Sequence, residues 1–166
     1  MMRGLPGLLL VLFGVVMIGL IAVVSDPQKA QLARRNAQRQ QDVAEILGRV
    51  EEFAKENHTL PPLTVELQQI GTEQTGCGLE TPSCTIRSDA CINLHSLMNN
   101  RDLSLPSDLR IGSYYKTGYG ISFDPSTQIV KVVACGAEDT AQISVERSLQ
   151  KYLTEVEVTA TKNAKK

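Results

Sequence analysis

Residues 4–25 read GLPGLLLVLFGVVMIGLIAVVS and run directly into residues 26–57, DPQKAQLARRNAQRQQDVAEILGRVEEFAKEN. The first stretch holds 22 residues without a charge. As a helix rising about 1.5 Å per residue it is roughly 33 Å long, enough for a hydrocarbon core of about 30 Å. The second opens with Asp26-Pro27, an N-cap residue followed by proline at the first helical position. Further along, Val43, Ile46, Leu47, Val50, Phe53 and Ala54 recur at three- and four-residue steps. That spacing predicts an amphipathic helix over 28–57 whose later half covers a domain. Ala30, Leu32, Ala33 and Ala37 in its earlier half are mostly small and stand among Arg and Gln. Asn57-His58-Thr59-Leu60-Pro61-Pro62 ends the helix, because a residue before proline is pushed out of helical geometry.

The division that follows is an anchor over 1–25, a stem helix over 26–57, a β-rich head over 58–158 and a disordered tail over 159–166. A membrane helix retained in the mature chain is the expectation for 4–25. A cleaved secretory signal with Val23-Val24-Ser25 at its end, or a buried soluble helix, is the alternative. Lys29, Arg34, Arg35 and Arg39 follow the span and only Arg3 precedes it, which by the positive-inside rule places the head in the cytoplasm. The four cysteines point the other way, to an oxidising compartment.

The chain has 166 residues and a net charge of −1; beyond Arg3 it carries 16 basic against 18 acidic residues, a net of −2. There is no basic excess to track a phosphate backbone, and with seven aromatics and no Trp few rings to stack on bases, so nucleic acid is not indicated as a partner. Charge along the stem is graded, with Arg34, Arg35 and Arg39 early and Glu45, Glu51, Glu52 and Glu56 late. This order opposes the helix dipole. It fits either a solvated face or complementarity between staggered neighbouring stems.

In the head, Leu63, Leu67 and Ile70 predict a short helix over 63–70 stopped by Gly71, and 72–89 a loop. A second short helix is expected over 94–100 and a turn at Leu105-Pro106-Ser107-Asp108. Tyr119, Ile121 and Phe123 then alternate with small residues, Asp124-Pro125-Ser126-Thr127 makes a turn, and 128–135 is β-branched, which reads as a central strand. Residues 136–139 turn the chain again, and 141–146 make a third strand. A short helix over 147–153 and an edge strand over 156–159 close the head. The fold class is therefore α+β: a long helix against a small antiparallel sheet of three to four strands, the stem over 43–54 covering its apolar face.

Cys77, Cys84, Cys91 and Cys135 allow three disulfide connectivities. The preferred one joins Cys77 to Cys84 as a local loop and Cys91 to Cys135. A zinc site from the cysteines with His95 is the alternative, although the spacings are not those of short knuckles. Asn57-His58-Thr59 matches a glycosylation triplet that is common by chance, and His58 and His95 stand apart as structural histidines. No phosphate loop, dinucleotide fingerprint, nucleophile elbow or zincin motif occurs. Glu51-Glu52 is a charge pair on a solvated face. No catalytic residue, metal or cofactor is expected, and the chain is not expected to be an enzyme.

Ala37-Gln38-Arg39-Gln40-Gln41-Asp42-Val43-Ala44-Glu45-Ile46, followed by Val50, Phe53, Ala54, Glu56-Asn57 and Leu60-Pro61, resembles the stem-to-head region of type IV pilin and pseudopilin-like proteins. Cys91-Ile92-Asn93-Leu94 with Leu97, then Leu103-Ser104-Leu105-Pro106-Ser107-Asp108, is similar to a later segment of bacterial members, and Tyr119-Gly120-Ile121 with Ile129-Val130-Lys131-Val132 resembles their terminal hairpin. The resemblance implies a single-pass membrane protein with its head outside the cytoplasm, despite the basic stem. It implies Leu8, Leu12, Val15, Ile18 and Ala22 as the assembly helix, and processing after Gly4 or Gly7. The partners it implies are other pilin or pseudopilin subunits, membrane lipid, a prepilin peptidase and an assembly platform. The family's glutamate at mature position 5 is replaced by Leu9 or Leu12, which points to a minor or tip subunit, or to a membrane-anchored binding domain that does not polymerise.

Overall fold

A computed structural model of the chain describes residues 26–94 and 105–153. The helices are α1 (Pro27–Asn57) and α2 (Gln150–Leu153). The strands are β1 (Gln68–Gly71), β2 (Leu79–Thr81), β3 (Cys84–Ile86), β4 (Lys116–Asp124), β5 (Ile129–Ala134) and β6 (Ser144–Ser148). The architecture is α+β, with an antiparallel four-stranded sheet in the order β1-β4-β5-β6 and a separate β2-β3 hairpin. The chain divides into two compact units at Arg34/Arg35. The described part of the first is the opening of α1, where Asp26 Oδ1 accepts from the backbone N–H of Gln28 at 3.0 Å and of Lys29 at 3.4 Å. This is the N-cap that the Asp-Pro pair encodes.

In the second unit the stripe read from the sequence is buried. Val43, Ile46, Leu47, Val50 and Ala54 are at most 3% exposed. They share one hydrophobic core with Ile70, Tyr119, Ile121, Val130, Val132, Ile143 and Leu149. Strands β4 and β5 follow from their sequence, since β-branched and aromatic residues on alternate positions fill the face of a pleated sheet. Between them Asp124 accepts hydrogen bonds from Ser126 and Thr127, and Gln128 takes a left-handed φ of 53°, closing the turn.

Several expectations for the head are corrected. Residues 63–70 form no helix; Gln68–Gly71 is a strand paired with β4, Gln68 opposite Ile121 and Gln69 opposite Gly120. The chain is already extended alongside β4 at Thr64, whose carbonyl accepts from Phe123 N–H at 2.9 Å. Spacing of 63, 67 and 70 fits a helix, but pairing to β4 satisfies the backbone and decides the outcome. The segment 72–89 is not all loop, since it contains the β2-β3 hairpin. The turn expected at 105–108 begins at Asp108 instead, with Gly112 N–H bonded to Asp108 O at 2.9 Å. The last sheet strand lies at Ser144–Ser148 rather than 141–146, because Asp139 and Thr140 both take left-handed φ of 57° and lengthen the preceding turn. Correspondingly α2 is shorter than 147–153.

The helix expected over 94–100 (beyond Leu94), the strand over 156–159, the tail and the anchor over 1–25 lie outside the described residues. Among the described residues no helix is long and apolar enough to cross a membrane.

Ile46 is 0% exposed at the centre of the helical stripe. Replacing it by Ala is expected to cost about 2–5 kcal/mol of head stability in chemical denaturation. A loss below about 1 kcal/mol would mean that the stem does not contribute to the core.

Candidate functional site

The helical stripe continues one turn before Val43, and the residue there is Arg39, 2% exposed. Its guanidinium lies against Asp108, which is 3% exposed. Nε donates to Asp108 Oδ2 at 2.5 Å and Nη2 to Oδ1 at 3.3 Å, a two-pronged pairing that suits the planar fork of arginine. Nη1 donates to Glu138 Oε2 at 3.0 Å and to Asn36 Oδ1 at 2.9 Å. Glu138 also accepts from Arg35 Nε at 2.6 Å and from Arg110, so three arginines converge on one carboxylate. One helical turn on, Asp42 accepts from Gln38 at 2.8 Å and from the buried Tyr119 hydroxyl at 2.5 Å. A cleft of about 10 Å³ beside these groups is lined by Arg35, Gln38, Arg39, Asp42, Leu109 and Tyr119, room for about one water molecule.

Electrostatics follow from these contacts. Burial alone would raise Asp108, but the hydrogen bonds from Arg39 and from the Arg110 and Ile111 N–H groups outweigh it and hold the carboxyl below its ordinary range. The Glu138 carboxyl is held down at about 2, chiefly by its hydrogen bond from Arg35, with Arg39 and Arg110 adding to the effect against its burial, which acts the other way. Burial, reinforced by the Asp42 carboxylate, pushes the Tyr119 hydroxyl up. For Arg39, burial is overcome by Asp108 and Glu138, which keep the guanidinium charged. The arrangement is a clamp of mutually neutralised charges joining α1 to the segments before β4 and after β5.

The residues from Cys135 to Glu138 form the corner on which the clamp is built. Gly136 passes so close to Asp108 that a Cβ there would lie 2.4 Å from Oδ2, so any side chain would enter the carboxylate's place. Thr81 Oγ1 donates to Cys135 O at 2.8 Å and Ser83 Oγ to Ala137 O at 3.0 Å. Asn36 Nδ2 donates to Glu138 O at 3.0 Å.

The cysteines pair as Cys77–Cys91 and Cys84–Cys135, each with Cα atoms 5.2 Å apart, so the preferred pairing is corrected. Hairpin register explains it. Thr81 stands opposite Cys84 and Leu79 opposite Ile86, which puts Cys77 four residues along the hairpin from the level of Cys84. That is about 13 Å at strand rise, beyond the reach of a disulfide. Cys77 instead meets the returning chain, its N–H bonded to Asp89 O at 2.9 Å. The bridges close sequence separations of 14 and 51 residues, worth about 3 and about 4 kcal/mol in the chain-entropy model. With their sulfurs joined, the cysteines offer no thiolate for zinc.

Of the other residues singled out in the sequence, His58 caps the end of α1 with φ of 53° and a ring nitrogen 3.3 Å from Tyr152 O. Glu51 is not simply solvated; it binds Arg147, the Tyr152 hydroxyl at 2.9 Å and Lys151. Gly4, Gly7, Leu8, Leu12, Val15, Ile18, Ala22 and His95 lie outside the described residues. In the sequence Asp108 and Glu138 stand only in turn signals, and Arg39 stands in a charge gradient that fits a solvated or intersubunit face. The available signal was its place four residues before Val43, on the stripe that enters the core. No protein-family model, curated protein or solved structure matches the chain.

Cleavage at Lys, Arg and Glu without reductant should join residues 74–80 to 88–101 and 81–87 to 132–138; mass spectra joining 74–80 to 81–87 would contradict the pairing. Asp108 and Glu138 are lowered from 3.8 and 4.5, so their contribution to stability is complete above those values and is lost as pH falls through the lowered ones. Asp108→Asn is expected to flatten the loss of stability between about pH 5 and about pH 2, followed by circular dichroism in denaturant. An unchanged acid profile would show that Asp108 is not held in this way.

Proposed function

We propose that the chain is a pilin-like subunit of a type IV pilus or pseudopilus, in a minor or tip position, anchored through residues 4–25 with its head outside the cytoplasm. One observation carries this reading: a single 31-residue helix starts two residues after the uncharged stretch, and one face of its later half, Val43 to Ala54, packs into the core of a disulfide-bonded α+β head. Two disulfides suit an oxidising compartment. In this reading the role is structural and not catalytic. The apolar helices leave the lipid and bury one another, the partners are like subunits, and a prepilin peptidase and assembly platform act on the stem.

A second reading is a membrane-anchored binding domain that does not polymerise. Leu9 and Leu12, standing where the family has a glutamate, favour it, as does the exposure of Leu109 and Tyr114 on the head.

Intact-mass measurement of the mature chain, with electron microscopy and pull-downs of shed filaments, separates the two. Assembly predicts a methylated N-terminus at Leu5 or Leu8 and the chain present in filaments. An intact Met1, retention in the membrane fraction and no cross-link to any pilin would overturn assembly and leave the anchored domain.

A further inference from the structure

Asp108 serves two elements at once. Its carboxylate takes the Arg39 fork, and its Oδ1 also accepts from the N–H groups of Arg110 at 2.8 Å and Ile111 at 3.1 Å, while its carbonyl holds Gly112 N–H at 2.9 Å. Glu138 is shared in the same way, between Arg35 and Arg39 of α1 and Arg110 of the loop. The loop is closed at its far end by Ser113 N–H to Lys116 O at 2.6 Å and Lys116 N–H to Ser113 Oγ at 3.1 Å. Residues 109–115 carry three of the four large apolar side chains exposed among the described residues: Leu109 at 78%, Tyr114 at 91% and Tyr115 at 53%.

We propose that the shape of the 109–115 loop is conditional on the docking of α1, transmitted through Asp108 and Glu138, so that the apolar loop and the stem helix form one coupled element. With Arg39 withdrawn, Asp108 is a buried carboxylate without its main counter-charge, and it gains by turning toward water. That movement removes the acceptor from Arg110 and Ile111 and opens the first turn of the loop. Coupling is reciprocal: anything that grips the loop in its closed form tightens the hold on Arg39. The coupling is independent of whether the chain polymerises.

Hydrogen exchange on the full chain in detergent micelles, compared with Arg39→Gln, tests the proposal. Exchange at Arg110, Ile111 and Gly112 is expected to accelerate about ten-fold or more, while Val130 and Val132 change by less than about two-fold. Asp108→Asn keeps a side-chain oxygen for the two N–H groups and is expected to accelerate the loop less than Arg39→Gln does. Unchanged loop exchange in a folded Arg39→Gln protein overturns the proposal, as does acceleration of equal size at Val130 and Val132. Should Arg39→Gln fail to fold, Arg39→Lys retains the charge without the fork, and the same contrast between loop and strand decides the matter.

Discussion

Arg39 and Asp108 meet with side chains 3% and 0% exposed, 69 residues apart in sequence. Neither charge is tolerable there alone, since a buried ion without its partner costs several kcal/mol. Each therefore fixes the other, and with it the element that carries it. The guanidinium fixes the rotation of α1 about its own axis: with Arg39 on the sheet side, Val43, Ile46, Leu47, Val50 and Ala54 follow at helical spacing into the core. The carboxylate fixes the chain just before β4, and Gly136 and Glu138 close the space around it from the end of β5. An apolar stripe alone leaves helix rotation and shift loosely defined. A two-pronged ion pair at its end has one geometry that satisfies it.

The disulfides strengthen the same corner. Cys135 precedes Gly136, so the bridge to Cys84 ties the β2-β3 hairpin to the residues that enclose Asp108. Thr81 and Ser83 add hydrogen bonds to Cys135 and Ala137. Charge, covalent bond and close backbone approach thus converge on four residues, 135–138. The short strands around them bury little by themselves: β2 and β3 have three residues each, and an isolated hairpin of that size is marginal in water.

Much of this fold was legible from the sequence where the physics is local. Asp26-Pro27 marked the start of α1, and three- and four-residue spacing of 43, 46, 47, 50 and 54 marked its buried face. Alternation at Tyr119, Ile121 and Phe123 and the β-branched run after it marked β4 and β5. What was hidden depends on partners distant in the chain. Leu63, Leu67 and Ile70 suit a helix as well as a strand, and only pairing with β4 chooses between them. Cysteine connectivity follows from the register of a hairpin with two three-residue strands, which composition does not reveal. Asp108 stood in a turn signal and Arg39 in a charge gradient, and nothing local joins them.

The buried pair, and not the apolar stripe alone, sets how α1 meets the sheet. A double-mutant cycle on head stability with Arg39→Met, Asp108→Asn and both together measures it most directly. The double variant is expected to lose less than the sum of the singles by about 2–3 kcal/mol, because Arg39→Met leaves Asp108 buried without its main counter-charge and Asp108→Asn leaves the buried Arg39 with Glu138 as its one carboxylate partner. Losses that add to within about 0.5 kcal/mol would contradict it.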